Sequence, residues 1–563
     1  MSQLSLRIRV FVILAAVAIT AAGVTAGIGY STAREAVEEQ SFRKLTAVRE
    51  LKASQVEDYF RIIADQAVTL SESRMIVDAA RAFREGFRRA PREHSMAAGD
   101  VATRDRALRL YYQKEFLPRL GEQGAADLTL DQYWPGEEDA RLLQYLYIAA
   151  NPFDTGAKSS LDAADDASAY SRAHARYHPL LRSYLERFGY YDLFLVDPET
   201  GHVVYSVFKE IDFATSLLLG PHRASNLARA FREARGAGTA SFVRLVDFEP
   251  YTPSYGAHAS FVASPIFDGP ERVGVLVLQM PLDRINDVMT ARGEWARVGL
   301  GHSGETYLVG EDHRLRSESR FMIEDRESFL RAVESAGTPS ATVATMARLG
   351  TAIGLQTVET EGTQAALAGE TGTRVFADYR GVPVLSAFRP LELPDLHWVI
   401  MSEIDREEAF APVRSLRNRA LVWLAILVVI MGLVSFTFAR SVTRPLEELS
   451  RRAAELAQGQ LDAPIESRGR DEIGQLAHSF DSMRESFLEL VKRQERAIDA
   501  LSAPVIPLGE GVVAMPLVGE LDPRRLARAR QTLVESLHES GARTALLDLT
   551  GVPRLDPESA AGL

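Results

Sequence analysis

The stretch Tyr190–Phe208, YYDLFLVDPETGHVVYSVF, decides the fold of the larger part of this chain. It predicts a strand, a tight turn at Pro-Glu-Thr-Gly and a second strand, because β-branched and aromatic residues fill both sides of the turn. A helical stretch follows at 223–234, and three more strands are predicted from ASFVRLVDF, HASFVASPIF and RVGVLVLQMPL. The pattern indicates a five-stranded antiparallel sheet with a helix between its second and third strands.

The same pattern returns further along the chain. GETYLVGEDHRLRSES at 304–319 predicts another strand, turn and strand, and TRVFADYRGVPVLSAFRPL with HWVIMSEID supplies three more strands. This weak internal duplication indicates two related modules in tandem. We place them at residues 188–290 and 291–410, each with the arrangement of a PAS-like module.

Two apolar runs without a charge lie on either side of these modules, at 10–30 and 420–439. Each is long enough to cross a bilayer, which takes roughly 20 residues. Arginines before the first run and after the second put both termini, including residues 1–9, in the cytoplasm, and residues 31–419 outside it. The alternatives are a cleaved signal peptide for the first run and a buried core helix for the second, and the lengths of the runs favour spans over both.

The segment from 31 to 187 is expected to form a helical stalk and scaffold. Apolar residues recur at helical spacing over 32–90, and neither glycine nor proline occurs there before Gly86, so we predict one long helix leaving the membrane. Two further helices are predicted at about 104–118 and 167–187.

Composition excludes several classes of protein. The 563 residues carry a net charge of −12 and include no cysteine, which excludes disulfides, thiolate metal sites and cysteine nucleophiles. Nucleic acid is not an expected partner, because phosphate binding needs a clustered basic surface. The histidines lack metal-ligand spacing, and we expect neither metal nor cofactor. No phosphate loop, kinase signature, GxSxG or HExxH occurs, so the chain is not expected to be an enzyme.

The two spans and the tandem modules together resemble a double Cache sensor over about residues 35–410. That resemblance implies a small-molecule pocket over the sheet of the membrane-distal module. The ligand-binding candidates lie around the second and third strands: Tyr205, Lys209, Asp212, Asp247, Tyr251 and Ser254. The ammonium group of Lys209 suits a ligand carboxylate, and tyrosine hydroxyls suit its orientation. The alternative is a surface ion pair between Lys209 and Asp212 with the tyrosines in the core. We find no arginine–tryptophan pattern of the amino-acid-binding members, which leaves the ligand class open.

The segment SVTRPLEELSRRAAELAQGQLDAPIESRGRDEIGQLAHSFDSMRESFLEL resembles a HAMP domain, which we place at 440–493. Apolar residues at three- and four-residue spacing on two helices, with a connector between them, carry the resemblance. The expected core residues are Pro445, Leu446, Leu449, Leu456, Gly459, Leu461, Ile465, Glu472, Ile473, Leu476, Phe480 and Met483. Such stripes are buried only against other helices, so we predict a parallel four-helix bundle built by a homodimer. The alternative is a generic coiled-coil linker.

Residues 494–563 predict a linker helix and then the first part of a further domain. VIPL and VVAMPL read as strands, Asp522 and Pro523 begin a helix that ends at Gly541, and TALLDLTGV is an apolar strand. This β-α-β pattern resembles a STAS domain of the stressosome, or anti-sigma factor antagonist, type. The resemblance implies a cytoplasmic serine/threonine kinase or an anti-sigma-type switch protein as partner. Pro557 stands at the family's phosphorylated position, leaving Ser559 as the candidate acceptor, and the domain is expected to be truncated.

Together these features predict a multidomain α+β membrane protein with two transmembrane helices, tandem Cache modules outside, and HAMP and partial STAS domains inside. The expected function is a receptor in the bacterial cytoplasmic membrane, in contact with lipid, that converts binding of an external small molecule into altered STAS interactions. The alternative is the sensor part of a truncated HAMP-linked enzyme, a cyclase or a phosphatase. A chemoreceptor is disfavoured, because nothing resembles the long methylated hairpin of that class.

Overall fold

The computed structural model describes residues 6–94, 98–122, 124, 128–460, 463–465, 469–500, 504–509 and 511–554. The chain forms two compact units, one comprising Gly27–Asn418 and the other the remaining segments at both ends. The two units are described in turn.

The chain begins with two long helices, α1 at Leu6–Glu72 and α2 at Arg74–Glu93, and the first unit includes α1 from Gly27 onward. The single helix predicted over 32–90 is wrong, because Ser73 interrupts it. Its backbone is extended, and its hydroxyl accepts a hydrogen bond from the Ile76 amide, which caps α2. A serine that bonds to the backbone ahead of it competes with helix continuation, so neither glycine nor proline is needed for the break.

Short helices complete the scaffold and cover one end of the first sheet. They are α3 at Ala98–Tyr111, α4 at Leu117–Glu122, α5 at Glu138–Gln144 and α6 at Ala169–Phe188, with π-helical turns at Tyr112–Phe116 and Tyr145–Ala149 and 3₁₀ turns at Leu130–Gln132 and Lys158–Ser160. The helices predicted at 104–118 and 167–187 are confirmed. Helix α6 begins where Ser168 caps it and ends at Gly189, which adopts the left-handed conformation.

The first sheet has five strands in the order β2-β1-β5-β4-β3, and neighbouring strands are antiparallel. The strands are β1 at Asp192–Val196, β2 at Val203–Ser206, β3 at Arg244–Pro250, β4 at His258–Asp268 and β5 at Glu271–Gln279, with α7 at Asn226–Gly236 between β2 and β3 and α8 at Leu282–Thr290 after β5. The predicted arrangement is confirmed. Leu195 packs in the core shared with α2 and α6, while Phe194 packs against α7. Both faces of the sheet are therefore buried.

The second sheet has four strands in the order β6-β9-β8-β7. They are β6 at Glu305–Val309, β7 at Gly372–Ala377, β8 at Pro383–Pro390 and β9 at Val399–Asp405, with α9 at Arg320–Glu324, α10 at Arg326–Ser335, α11 at Ser340–Leu349 and α12 at Glu361–Leu367 inserted after β6. The second strand predicted within 304–319 is wrong, because the residues after β6 form only isolated bridges, such as that of Leu315 with Val309. Its polar side chains bond elsewhere: Ser319 caps α9, and Arg316 binds an aspartate of β3.

The chain continues through α13 at Arg406–Ala409 and α14 at Ala411–Phe438 into the second unit, where a π-helical turn at Ala439–Thr443 joins α14 to α15 at Arg444–Ala457. Helix α16 follows at Glu472–Ala500, and then β10 at Ile506–Gly509, β11 at Val512–Val518, α17 at Pro523–Ser540 and β12 at Thr544–Gly551. Strands β11 and β12 are parallel, as the predicted β-α-β arrangement requires. Helices α1 and α14 each contain an apolar stretch long enough to cross a membrane.

Candidate ligand-binding site and signalling helices

Five of the six predicted ligand-binding residues lie together where β1 begins and β2 ends. The Tyr251 hydroxyl donates a hydrogen bond of 2.5 Å to Asp212 Oδ2. The Ser254 hydroxyl donates one of 2.7 Å to Oε2 of Glu210, a residue that sequence reasoning did not select. Tyr205 lies on β2 beside them and is buried. The group formed by Asp192, Tyr205, Lys209, Glu210, Asp212, Tyr251 and Ser254 is called the charged cluster below.

Lys209 is the cation of this cluster and is only 2% exposed. Its ammonium group donates to the Ser206 carbonyl oxygen and lies 4.4 Å from the ring centre of Tyr205 and 5.1 Å from that of Phe213. Its backbone has a φ of +58°, a left-handed conformation that costs free energy in a lysine. Burial lowers the pKa of Lys209 to about 7. The alternative of a surface ion pair with Asp212 is wrong, since both side chains are buried.

The charged cluster contains three carboxyl groups, and the charge of Asp192 acts on the pKa of Lys209. Burial raises the pKa of Asp212 to about 6, and burial together with the nearby charge of Asp212 raises the pKa of Glu210 to about 7 and that of Asp192 well above its usual range. One oxygen of Asp192 and one of Asp212 lack a hydrogen-bond partner. An aspartate inside the apolar strand DLFLV was the signal that could have identified Asp192 from the sequence.

The helical scaffold contributes a second buried cation that the sequence analysis missed. Lys158 is 4% exposed, and its ammonium group donates a 2.5 Å hydrogen bond to the Tyr111 hydroxyl. Burial lowers the pKa of Lys158 to about 7, and the Glu210 carboxylate acts in the opposite direction. The scaffold therefore belongs to the site rather than only supporting it.

Two histidines of α6 form the apolar side of the cluster. The rings of His174 and His178 stack with centroids 4.3 Å apart, and His178 Nδ1 hydrogen-bonds to the Tyr205 hydroxyl at 2.7 Å. Burial, with a smaller contribution from the Lys209 charge, lowers the pKa of His178 to about 3, so its ring is neutral. Within the described ranges, no three histidine or acidic side chains are placed to hold a metal ion.

Asp247 is the exception among the predicted ligand-binding residues. Its carboxylate accepts hydrogen bonds from Arg316 Nη2 at 3.0 Å and from Trp398 Nε1 at 3.0 Å. Those donors come from the segment after β6 and from the residue before β9. The Asp247 side chain therefore links the two sheets and does not join the charged cluster, and its role in ligand binding stays a prediction.

In the second unit, α15 and α16 pack through a small apolar contact. Leu449, Ile465 and Ala477 are buried together, with Ile473 and Phe480 partly buried beside them. Pro445 lies in the first turn of α15, Gly459 has a φ of +85°, and Glu472 begins α16, while Leu446 and Leu456 are partly buried. Leu461, Pro557 and Ser559 lie outside the described residues.

Comparison with known proteins identifies this helical pair. Residues 437–489 match the HAMP domain family. This part of the chain is a HAMP domain. Transducer protein Htr6 of Halobacterium salinarum is 31% identical over 104 residues, 18% of this chain and 13% of its own length. RsbT co-antagonist protein RsbRA of Bacillus subtilis is 36% identical over 77 residues, 14% of this chain and 28% of its own. The chain therefore spans far less than two thirds of these relatives.

Solved structures similar to this chain include the ligand-binding domain of the Pseudomonas fluorescens chemoreceptor CtaA in complex with L-serine. The likeness covers 47% of this chain and 86% of that one, with 15% identity and a TM-score of 0.25.

The HAMP domain leaves part of its predicted core uncovered. Leu476 is 44% exposed and Met483 is 41% exposed. A groove of about 720 Å³ lies between α15, the connector and α16, lined by Leu449, Ile465 and Ala477 among others. An apolar stripe and groove of this kind are suited to a second pair of helices.

Proposed function

We propose that this chain is a transmembrane receptor of the bacterial cytoplasmic membrane, whose Gly27–Asn418 unit binds a small molecule outside and whose HAMP domain relays the change inward. The observation that carries the proposal is the position of the HAMP domain, which begins at residue 437, where α14 ends. A relay directly after an apolar helix fits a signal that arrives through the membrane. The unit between the two apolar helices supplies the charged cluster as the binding site.

The ligand class follows from the charges that meet in the cluster. Lys209 and Lys158 suit a carboxylate, and Asp192 and Asp212, each with an unpartnered oxygen, suit an ammonium group. Aromatic rings around Lys209 exclude water, which strengthens both kinds of charge pairing. We therefore propose a small zwitterion of the amino-acid type as the ligand.

Calorimetric titration of the full chain in nanodiscs with a panel of L-amino acids tests this assignment. Lys209→Met should weaken binding by about 1.5–3 kcal/mol, the usual range for a lost charge-assisted hydrogen bond, and Tyr251→Phe by about 0.5–1.5 kcal/mol. Lys114→Met, at an exposed position of the scaffold, is the matched control. Equal affinity of Lys209→Met and the control would remove Lys209 from the site.

The HAMP relay is proposed to work as a homodimer. Two copies would complete a parallel four-helix bundle around Leu476 and Phe480, and a bundle with two near-equal packings can be biased by a small movement of α14. Phe480→Asp buries an unpaired carboxylate in that bundle, so it should abolish signalling in a reporter assay while ligand affinity stays unchanged. Ser479→Asp, on the exposed side, is the control. Normal output from Phe480→Asp would contradict the relay.

We propose that the segment from β10 to β12 is the beginning of a STAS domain that acts on a serine/threonine kinase or an anti-sigma-type switch protein. The parallel β11–β12 pair with α17 between them supports this, as does the similarity to RsbRA. Pro557 carries no hydroxyl, and Glu558 beside it supplies a fixed negative charge, so we propose that signals from the membrane side, and not phosphorylation of this loop, control the domain. Phosphopeptide mapping after incubation with the cognate kinase tests this. Stoichiometric phosphate on Ser559, with output lost in Ser559→Ala, would overturn it.

A further inference from the structure

A groove of about 820 Å³ runs along one face of the stalk helix α1, and its lining includes no residue of the charged cluster. Its walls come from α1, from the end of α6 and from α8. Three apolar side chains in it are uncovered, since Leu51 is 62% exposed, Ile62 is 53% exposed and Phe188 is 45% exposed. Clefts that hold small molecules are usually about 300–1,000 Å³, so this groove has room for a ligand.

Lys52 lines the same groove and is a buried cation. Its side chain belongs to a residue that is only 4% exposed, and its ammonium group donates to the Met289 carbonyl oxygen, which uses one of its three N–H donors. Among the residues that the structure describes, no carboxylate forms an ion pair with it. Buried charges in folded proteins are normally paired, so the partner that this lysine lacks is an anion.

The two other buried lysines of this unit show what Lys52 lacks. Burial lowers the pKa of both Lys209 and Lys158, but the charge of Asp192 opposes this effect at Lys209, and that of Glu210 opposes it at Lys158. Burial also lowers the pKa of Lys52, to about 8, and no carboxylate of the described ranges opposes it there. The fold thus supplies a counter-charge to two buried lysines and leaves the third without one.

The rim of the groove adds positive charge. Arg284 is exposed and forms no ion pair with another described residue. The two carboxylates of the groove are already bound, Asp58 to Arg61 at 3.0 Å and Asp287 to Arg292 at 3.3 Å. The charges that remain unpaired are therefore those of cations, and they lie beside an uncovered apolar surface. This combination is complementary to a single anionic group on an apolar chain.

We propose that this groove is a second binding site, specific for an amphipathic carboxylate with an alkyl chain of medium length. The carboxylate would accept hydrogen bonds from the Lys52 ammonium group, and the alkyl chain would cover Leu51 and Ile62. Because both α1 and α8 line the groove, a bound molecule would add contacts between these two helices. It would do so without occupying the charged cluster.

Calorimetric titration of the full chain in nanodiscs with sodium octanoate tests the proposal, with empty nanodiscs as the blank. Octan-1-ol, which lacks the charge, and octylammonium chloride, which reverses it, are the ligand controls. We expect saturable binding of octanoate and not of the two controls. The affinity should rise from butyrate through hexanoate to octanoate by up to about fourfold for each CH₂ group, because the chain buries apolar surface.

Matched variants each change one lysine of α1. Lys52→Met should lower the affinity for octanoate by about tenfold or more, the loss expected of a charge-assisted hydrogen bond. Lys44→Met, at an exposed position of the same helix, should bind octanoate as the unmodified chain does. Near-ultraviolet circular dichroism checks that Lys52→Met is folded. If it is not, Arg284→Gln takes its place, and unchanged affinity in that variant would count against the site in the same way.

Three results would overturn the proposal. The first is no binding of octanoate beyond that of empty nanodiscs, and the second is equal affinity of Lys52→Met and Lys44→Met. The third is a covalent dimer that forms in higher yield from Leu51→Cys than from Lys114→Cys, an exposed position of the scaffold, on mild oxidation of the otherwise cysteine-free chain. That result would show that a second copy of the chain covers the groove.

Discussion

The guanidinium group of Arg316 holds the carboxylate of Asp247 through two nitrogens, Nε at 3.1 Å from Oδ1 and Nη2 at 3.0 Å from Oδ2. The pair joins β3 of the first sheet to the segment that follows β6. Trp398 donates to the same carboxylate and packs edge to face on Phe60 of α1, with ring centroids 5.3 Å apart. Because Tyr251, just beyond the end of β3, binds Asp212, one strand connects the charged cluster to the stalk helix.

Arg316→Met should therefore destabilise the first unit. The substitution leaves Asp247 partly buried without its cation, and we expect a loss of about 2–3 kcal/mol in the free energy of unfolding, reduced by the partial exposure of the aspartate. Urea denaturation followed by tryptophan fluorescence measures it. Arg331→Met, at a position 68% exposed, should change the free energy by less than about 0.5 kcal/mol. Equal stabilities of the two variants would show that the pair contributes nothing.

Glu403, a buried carboxyl group on β9, should make the free energy of unfolding of the first unit depend on pH. In the unfolded chain it ionises near its usual pKa of 4.5, and in the folded chain only near 8. Its stabilising contribution is therefore complete below pH 4.5 and is lost as the pH rises toward 8. Glu403→Gln removes this contribution, so the variant should gain stability relative to the unmodified chain between pH 5 and pH 8. Thermal unfolding of both proteins at pH 5 and pH 8 measures the difference in stability between them. Parallel changes in both proteins would contradict the raised pKa of Glu403.

The absence of cysteine makes the HAMP dimer directly testable. Leu476→Cys introduces the one thiol of the chain at a position of the proposed bundle core. Two copies in a parallel bundle bring such positions within the roughly 7 Å between Cα atoms that a disulfide allows. Mild oxidation of membranes should then produce a covalent dimer from Leu476→Cys and little from His478→Cys, which points away from the stripe. Equal yields would argue against the bundle.

Ser73→Ala should weaken the junction between α1 and α2. The variant removes the hydroxyl that accepts from the Ile76 amide, and loss of such a cap costs about 1 kcal/mol. A matching fall in the melting temperature is expected relative to Ser335→Ala, an exposed position at the end of α10. An unchanged melting temperature in Ser73→Ala would contradict this prediction and would indicate that α1 continues into α2 in the variant.

The strands of the first sheet could be predicted because the local turn and strand preferences of YYDLFLVDPETGHVVYSVF are the same as the structure that these residues adopt in the tertiary fold. The segment at 310–319 could not, since its strand-like pattern yields to long-range bonds such as that of Arg316. Five of the predicted ligand-binding residues lie together because they cluster around one strand pair, and their role in ligand binding stays a prediction. Lys158, Asp192 and Glu210 were missed because packing of the scaffold, and not local pattern, buries charges that hydropathy assigns to the surface.

The scaffold that covers the first sheet limits how this sensor can be recombined. Phe83 of α2 packs against Tyr205 with ring centroids 4.5 Å apart, and the Tyr170 hydroxyl of α6 donates to the Val204 carbonyl oxygen. A chimaeric receptor that contained only residues 188–290 would expose this apolar face of the first sheet to solvent. Its charged cluster would also lack Lys158. A transferable sensor unit, whether engineered or produced by gene rearrangement, therefore has to start at the stalk helix and not at the first strand.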